Sequence, residues 1–126
     1  MKLSDILDSK AAIAAPADAA GSAWEHMKTQ DVRYLVVVQA GKVVGILSRG
    51  DLGGPSGGAH RRMGRRVADL MQKNVVTAKP STSVRKAARI MRKHGIGCLP
   101  VLKGGKLVGI VTEGEMLRLL EKLVEK

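Results

Sequence analysis

The chain of 126 residues has no phenylalanine, one tryptophan and one tyrosine. A core built without them must be aliphatic, from Val, Leu, Ile, Ala and six Met. Base recognition by stacking on aromatic platforms is largely excluded. The lone Cys98 excludes a disulfide framework. No apolar run approaches the roughly 18–20 residues that cross a bilayer, and the N-terminal MKLSDILDSK has no signal-peptide core. These absences point to a soluble protein of a reducing compartment, the cytoplasm, with no membrane association. His26, His60 and His94 are scattered without metal-ligand spacing, so no metal site is expected. No P-loop, nucleophile elbow or paired catalytic carboxylate occurs, and no catalytic residue is assigned.

What is present is a globular composition, 44% apolar and 26% charged, of a size for one domain or two very small ones. The net charge is +11. It is unevenly placed: residues 1–52 sum to zero, residues 53–66 carry four Arg and no acid, and residues 67–126 carry a net +7. Such asymmetry fits nucleic acid, a phosphate-bearing ligand or an acidic partner.

An internal repeat organises the chain. An offset of 64 residues aligns Leu3–Leu52 with the second half without a gap, with 13 identities in 50 positions. Pro16 falls on Pro80, Met27 on Met91, and Gly41-Lys42-Val43-Val44-Gly45-Ile46 on Gly105-Lys106-Leu107-Val108-Gly109-Ile110. The expected segments are a first repeat at 1–52, a Gly-rich basic linker at 53–66 and a second repeat at 67–126. Each copy reads as β-α-β-β-α. In the second, Val75-Val76-Thr77 is a brief extended piece stopped by Pro80. Ser81-Thr82-Ser83 offers N-caps, and Val84, Ala87, Ala88 and Met91 follow at helical spacing up to Gly95. Two strands then flank Gly104-Gly105, and a closing helix begins at Glu113. In the first copy that closing helix is cut short by Gly53-Gly54-Pro55-Ser56-Gly57-Gly58. One such sheet is too small to bury both its faces, so the class is α+β with the two repeats packed as a pseudo-two-fold pair. The linker carrying Arg61, Arg62, Arg65 and Arg66 reads as a flexible solvated connector, or as an anion-binding arm.

Ser48-Arg49-Gly50-Asp51 and Thr112-Glu113-Gly114-Glu115 occupy the same place in the two copies. Each has the form of a capping box. Each also places an acid where a vicinal diol, such as a ribose, can donate two hydrogen bonds. The twice-repeated pattern of Pro, helix, Leu-Pro-Val and Gly-Lys-Leu-Val-Gly-Ile-Val-Thr-x-x-acid resembles a CBS-domain pair, or Bateman module. The resemblance covers essentially the whole chain, which points to a stand-alone module.

That resemblance implies a non-enzymatic regulatory module sensing an adenosine-containing nucleotide (AMP, ADP, ATP or S-adenosylmethionine) in the cleft between repeats. No cofactor is required, and the adenine nucleotide is the regulatory ligand. Carried over by position, the ribose and phosphate motif falls on Ser48 and Asp51. Its second copy falls on Thr112 and Glu115, where the extra methylene displaces the carboxylate by about 1 Å. The adenine-reading segments fall on Ile13-Ala14 and Val76-Thr77-Ala78. The phosphate-facing positions are Arg33 and Tyr34 in copy one, and Gly97 and Cys98 in copy two. The resemblance also implies a homodimer and a protein partner of unknown identity; Leu117, Leu120 and Trp24 read as apolar helix surface for a second module, with core as the other reading of Trp24. Arg85, Lys86, Arg89, Arg92 and Lys93 read as a solvated helix face, or as a partner surface. The lack of a reader motif argues against nucleic acid. The alternatives are a basic nucleic-acid-binding module and a purely structural interaction module with an empty cleft.

Overall fold

A computed structural model describes residues 1–56 and 58–124. The chain forms two compact units, Ala12–Val75, and Met1–Ala11 together with Val76–Lys126.

The unit Ala12–Val75 contains β1 (Ile13–Ala14), α1 (Ala20–Gln30), β2 (Tyr34–Gln39), β3 (Lys42–Ser48), α2 (Gly58–Arg62) and α3 (Val67–Leu70). β1 runs parallel to β2, and β2 and β3 form an antiparallel hairpin, in the order β1-β2-β3. The buried face is aliphatic: Met27 from α1, Leu35 and Val37 from β2, Leu47 from β3, and Leu52, Val67 and Leu70 from the segments that follow. Each such Leu or Val stabilises by roughly 1.5–3 kcal/mol on burial.

The other unit begins with a 3-10 turn, Leu3–Asp5, and continues with α4 (Val84–His94), β4 (Cys98–Lys103), β5 (Lys106–Thr112) and α5 (Glu113–Leu123). Leu3, Ala87, Met91, Leu99, Val101 and Val111 form its core. Ala88 is exposed, one residue round α4 from the buried Ala87, so the helix has a narrower apolar face than its spacing implies. The α+β class and the tandem repeat hold throughout: α1 and α4, β2 and β4, and β3 and β5 share the 64-residue offset to the residue.

One expected strand is missing. Val75–Thr77 forms no ladder, and only Ala78 bridges β4, at Val101. The cause is Pro100. In the first copy Val36 donates its N–H to the Ala12 carbonyl at 3.0 Å, which extends the β1–β2 pairing. The residue 64 positions on is Pro100, which has no N–H to give. It contributes only its carbonyl, to the Ala78 N–H at 3.0 Å.

The units do not coincide with the sequence repeats, because the lead-in segments are exchanged. The segment before the second repeat lies on β3, where Ile46 and Gln72 exchange N–H···O bonds of 2.8 and 3.0 Å. The segment before the first lies on β5, where Asp8 and Ile110 do the same at 2.8 and 2.9 Å. Both crossings pass over a glycine. A Cβ at Gly109 would stand 2.7 Å from the Asp8 carbonyl oxygen and 2.7 Å from a Leu7 methyl. At Gly45 it would stand 2.5 Å from the Met71 sulfur and 3.1 Å from the Gln72 oxygen.

Part of the linker takes regular structure: Gly58–Arg62 forms the one-turn helix α2, and Arg62 stacks on Trp24 with its guanidinium 4.2 Å from the ring centroid.

The glycine crossings make a ranked prediction. Gly109→Ala meets fixed backbone and should lower stability by about 1–3 kcal/mol. Gly45→Ala meets mainly the flexible Met71 side chain and should lower it less. Urea unfolding of the two variants checks the order.

Candidate functional site

The Ser48–Asp51 segment leaves β3 as a tight turn that does not continue directly into a helix. The Asp51 N–H donates to Ser48 Oγ at 3.0 Å, and the Ser48 N–H donates to Asp51 Oδ2 at 2.9 Å. Gln72, on the exchanged lead-in, donates its side-chain amide to Asp51 Oδ1 at 2.9 Å. Each carboxylate oxygen therefore accepts one side-chain or backbone hydrogen bond, and each keeps a second lone pair.

The other sites expected in this unit lie on the same sheet. Tyr34 is half-buried and pairs directly with Ser48 across β2–β3. Arg33 precedes it, exposed, with its carbonyl accepting the Arg49 N–H at 3.1 Å. Ile13 and Ala14 lie on the opposite edge of β2, beside Val36 and Val37, with Ile13 exposed and Ala14 buried. Arg33, Tyr34, Ser48 and Asp51 thus gather at one end of the hairpin, and Ile13-Ala14 lies two residues further along β2.

Thr112 and Glu115 form a more closed arrangement. Glu115 Oε1 accepts both the Thr112 N–H at 2.7 Å and its hydroxyl at 2.6 Å. Its Oε2 accepts Arg118 Nη2 at 2.6 Å, in a salt bridge. The hydroxyl in turn accepts the Gly114 N–H at 3.1 Å, so this is a capping box at the start of α5. Burial alone would raise the Glu115 carboxyl. The hydrogen bonds from Thr112 and Arg118, and the Arg118 charge, outweigh it and hold the group below its ordinary 4.5. Cys98 pairs with Thr112 across β4–β5, and burial, with the Glu115 charge, pushes its thiol up to about 12. A thiol so placed is inert at neutral pH.

Val76, Thr77 and Ala78 lie apart from this box. Val76 packs on the core, and Ala78 pairs with Val101. Thr77 and Ala78 line a cavity of about 750 Å³ with Pro80, Leu102 and the Lys103–Gly105 turn, at the far end of the hairpin from Thr112.

Several residues do work that sequence reasoning missed. Arg49, inside the first box, reaches back to the end of α1: its Nε donates to the Val32 carbonyl at 2.9 Å, and it pairs with Asp31 at 3.6 Å. Gln72 completes Asp51, and only the exchanged lead-in brings it there. Trp24 is half-buried, packs against the core and is covered by Arg62, which fits its core reading and not a free apolar surface. Arg62 is committed further, with Nη1 on the Leu52 carbonyl at 3.0 Å. Arg61 lies beside the site, donating its Nε to the Asp51 carbonyl at 2.7 Å. Among the described residues no cluster of His, Cys, Asp or Glu can hold a metal ion, and no helix is long and apolar enough to cross a membrane.

This fold and its two boxes match the CBS-domain model over residues 3–52 and 67–122, and the chain belongs to the CBS-domain family. CBS pairs are among the solved structures it resembles. The CBS pair of MJ0100, in complex with 5'-methylthioadenosine and S-adenosyl-L-methionine, is 28% identical with a TM-score of 0.85, covering 98% of each chain. CBSX2 in complex with AMP is 25% identical with a TM-score of 0.83, covering 97% of each. Among curated proteins, the inosine-5'-monophosphate dehydrogenase of Korarchaeum cryptofilum is 46% identical over 52 residues, which are 41% of this chain and 11% of that enzyme. The CBS domain-containing protein YhcV of Bacillus subtilis is 28% identical over 112 residues, 89% of this chain and 80% of that protein. Several of the curated relatives are longer: the chain spans 11%, 26%, 42% and 46% of the length of four of them.

The second box makes a pH-dependent prediction. A carboxyl depressed on folding adds stability above its unfolded value near 4.5, and that stability is lost as pH falls through the lower folded value. Thr112→Ala removes the hydroxyl that depresses it and the cap. It should lower stability by about 1 kcal/mol at neutral pH. The difference should shrink below pH 4.5. Thermal unfolding at both pH values checks this.

Proposed function

We propose that the chain is a non-catalytic regulatory module that binds an adenosine-containing ligand, AMP, ADP, ATP or S-adenosylmethionine, at the Ser48–Asp51 turn. The observation that carries this reading is the open state of the Asp51 carboxylate. It sits at the end of β3 with a free lone pair on each oxygen, beside the exposed Arg33. A ribose diol donates to the carboxylate. The planar Arg33 fork suits a phosphate. Glu115, with one oxygen doubly engaged and the other held by Arg118, offers less. The adenosine ligands of MJ0100 and CBSX2 support the ligand class. Binding regulates a partner protein by favouring one of two conformations, through the ligand's differential affinity for them. The same reading takes the exposed Leu117, Leu120 and Leu123 of α5 as the face that a second copy covers. The cytoplasm is its setting.

Calorimetry tests the assignment of the site. A charge-assisted hydrogen bond contributes roughly 1.5–3 kcal/mol, so Asp51→Ala should weaken adenosine-ligand binding at least about tenfold. Glu115→Ala should do much less. The reverse order would place the ligand at the second box. Light scattering on the same samples should give twice the 13.4 kDa chain mass.

A further inference from the structure

Helix α4 carries Arg85, Lys86, Arg89, Arg92, Lys93 and His94 and no acid. All six are exposed, and none joins an ion pair among the described residues. The core needs only the opposite face, Ala87 and Met91.

The repeat supplies an internal control. Helix α1 occupies the same place in the first copy, and its matching positions are Gly21, Ser22, Glu25, Lys28, Thr29 and Gln30, with no net charge. Glu25 and Lys28 there pair at 3.2 Å. The fold therefore does not require cations at these positions.

Arg92, Lys93 and His94 lie in the last turn, where the helix dipole favours them, but other cations act against the helix that bears them. Arg85 and Lys86 lie in the first turn, where the helix dipole disfavours positive charge. Arg85, Arg89 and Lys93 stand at successive i, i+4 positions, where like charges destabilise by about 0.2–0.5 kcal/mol per pair. A local rule broken twice without compensation in the fold marks a functional surface.

We propose that the exposed face of α4 is a docking surface for the phosphate backbone of a nucleic acid. By helical geometry Arg85, Arg89 and Arg92 form one row about 10 Å long, with Lys86 and Lys93 in a second row beside it. An anion along these rows relieves the repulsion within the helix. The partner is a polyphosphate and not an acidic protein, because the small Ala88 is the one exposed apolar residue of this helix and it has no aromatic to form the dry centre of a protein interface. Contacts to phosphate carry no sequence information, so the proposed contact is independent of sequence. The inference stands apart from the adenosine site and does not depend on it.

Fluorescence anisotropy with a mixed-sequence duplex of about 20 base pairs tests it, between about 50 and 200 mM salt. The full chain should bind, with affinity falling as salt rises. The combined variant Arg85→Gln, Arg89→Gln, Arg92→Gln should bind at least about tenfold more weakly, with a log–log salt slope shallower by about 2–3. It should melt no lower than the parent, since crowding is relieved. The corresponding triple Lys variant keeps the charge and should retain the slope. A control removing the same charge elsewhere, Lys10→Gln, Lys42→Gln, Lys106→Gln, should retain most of the affinity. No binding by the parent chain, equal loss in the control, loss of slope in the Lys variant, or polyglutamate binding as tightly as the duplex would each overturn the proposal.

Discussion

The organisation of both units rests on the crossing of an exchanged lead-in segment over a glycine. At Gly109 the backbone of the crossing segment comes so close that no side chain fits beneath it, and at Gly45 the Met71 side chain lies in the space a Cβ would take. The backbone bonds of Gln72 with Ile46, and of Asp8 with Ile110, depend on that approach. The candidate site depends on it as well. Gln72 reaches Asp51 Oδ1 only because its segment lies on β3. The constraint thus links the packing of each unit to the chemistry at the end of its last strand.

The two copies then diverge in what they do with the same frame. In the first, the chain turns away after Ser48, and Asp51 is held by one donor on each oxygen. In the second, α5 continues, and Arg118 on its first turns closes over Glu115. The residue 64 positions before Arg118 is Gly54, which lies in no helix and has no side chain to close the first box. The lead-in partner differs too. The counterpart of Gln72 is Asp8, which cannot donate to a carboxylate. A near-symmetric frame therefore presents one open acid and one satisfied one. Charge follows the same division, neutral on α1 and cationic on α4.

Much of this was legible in the chain. The 64-residue offset paired α1 with α4 and each hairpin with its counterpart, with strands a residue or two longer at their ends than the apolar runs that marked them, because turns, strands and caps recur at fixed spacing. The Thr112–Glu115 capping box was likewise readable from Thr, acid and spacing. The proposal of an adenosine site rests on resemblance and not on periodicity. What escaped reading was long-range. Pro100 looked like an ordinary strand residue, and its missing N–H mattered only once a parallel neighbour had to pair with it. The glycine-rich linker read as flexible, yet Arg62 finds Trp24 and the Leu52 carbonyl across a short loop. Gln72 carried no local signal. The two matched glycines, Gly45 and Gly109, were the available clue that something crosses there.

The claim on which the functional account depends is that the folded chain binds an adenosine-containing small molecule. A thermal-shift panel of AMP, ADP, ATP, S-adenosylmethionine and NAD on the intact protein measures it most directly. Ligand that binds only the folded state stabilises by about 2.7 kcal/mol at a hundredfold excess over its Kd, so at least one adenosine compound should raise the melting temperature by several degrees. An unchanged melting temperature with every member of the panel at millimolar concentration would contradict the account.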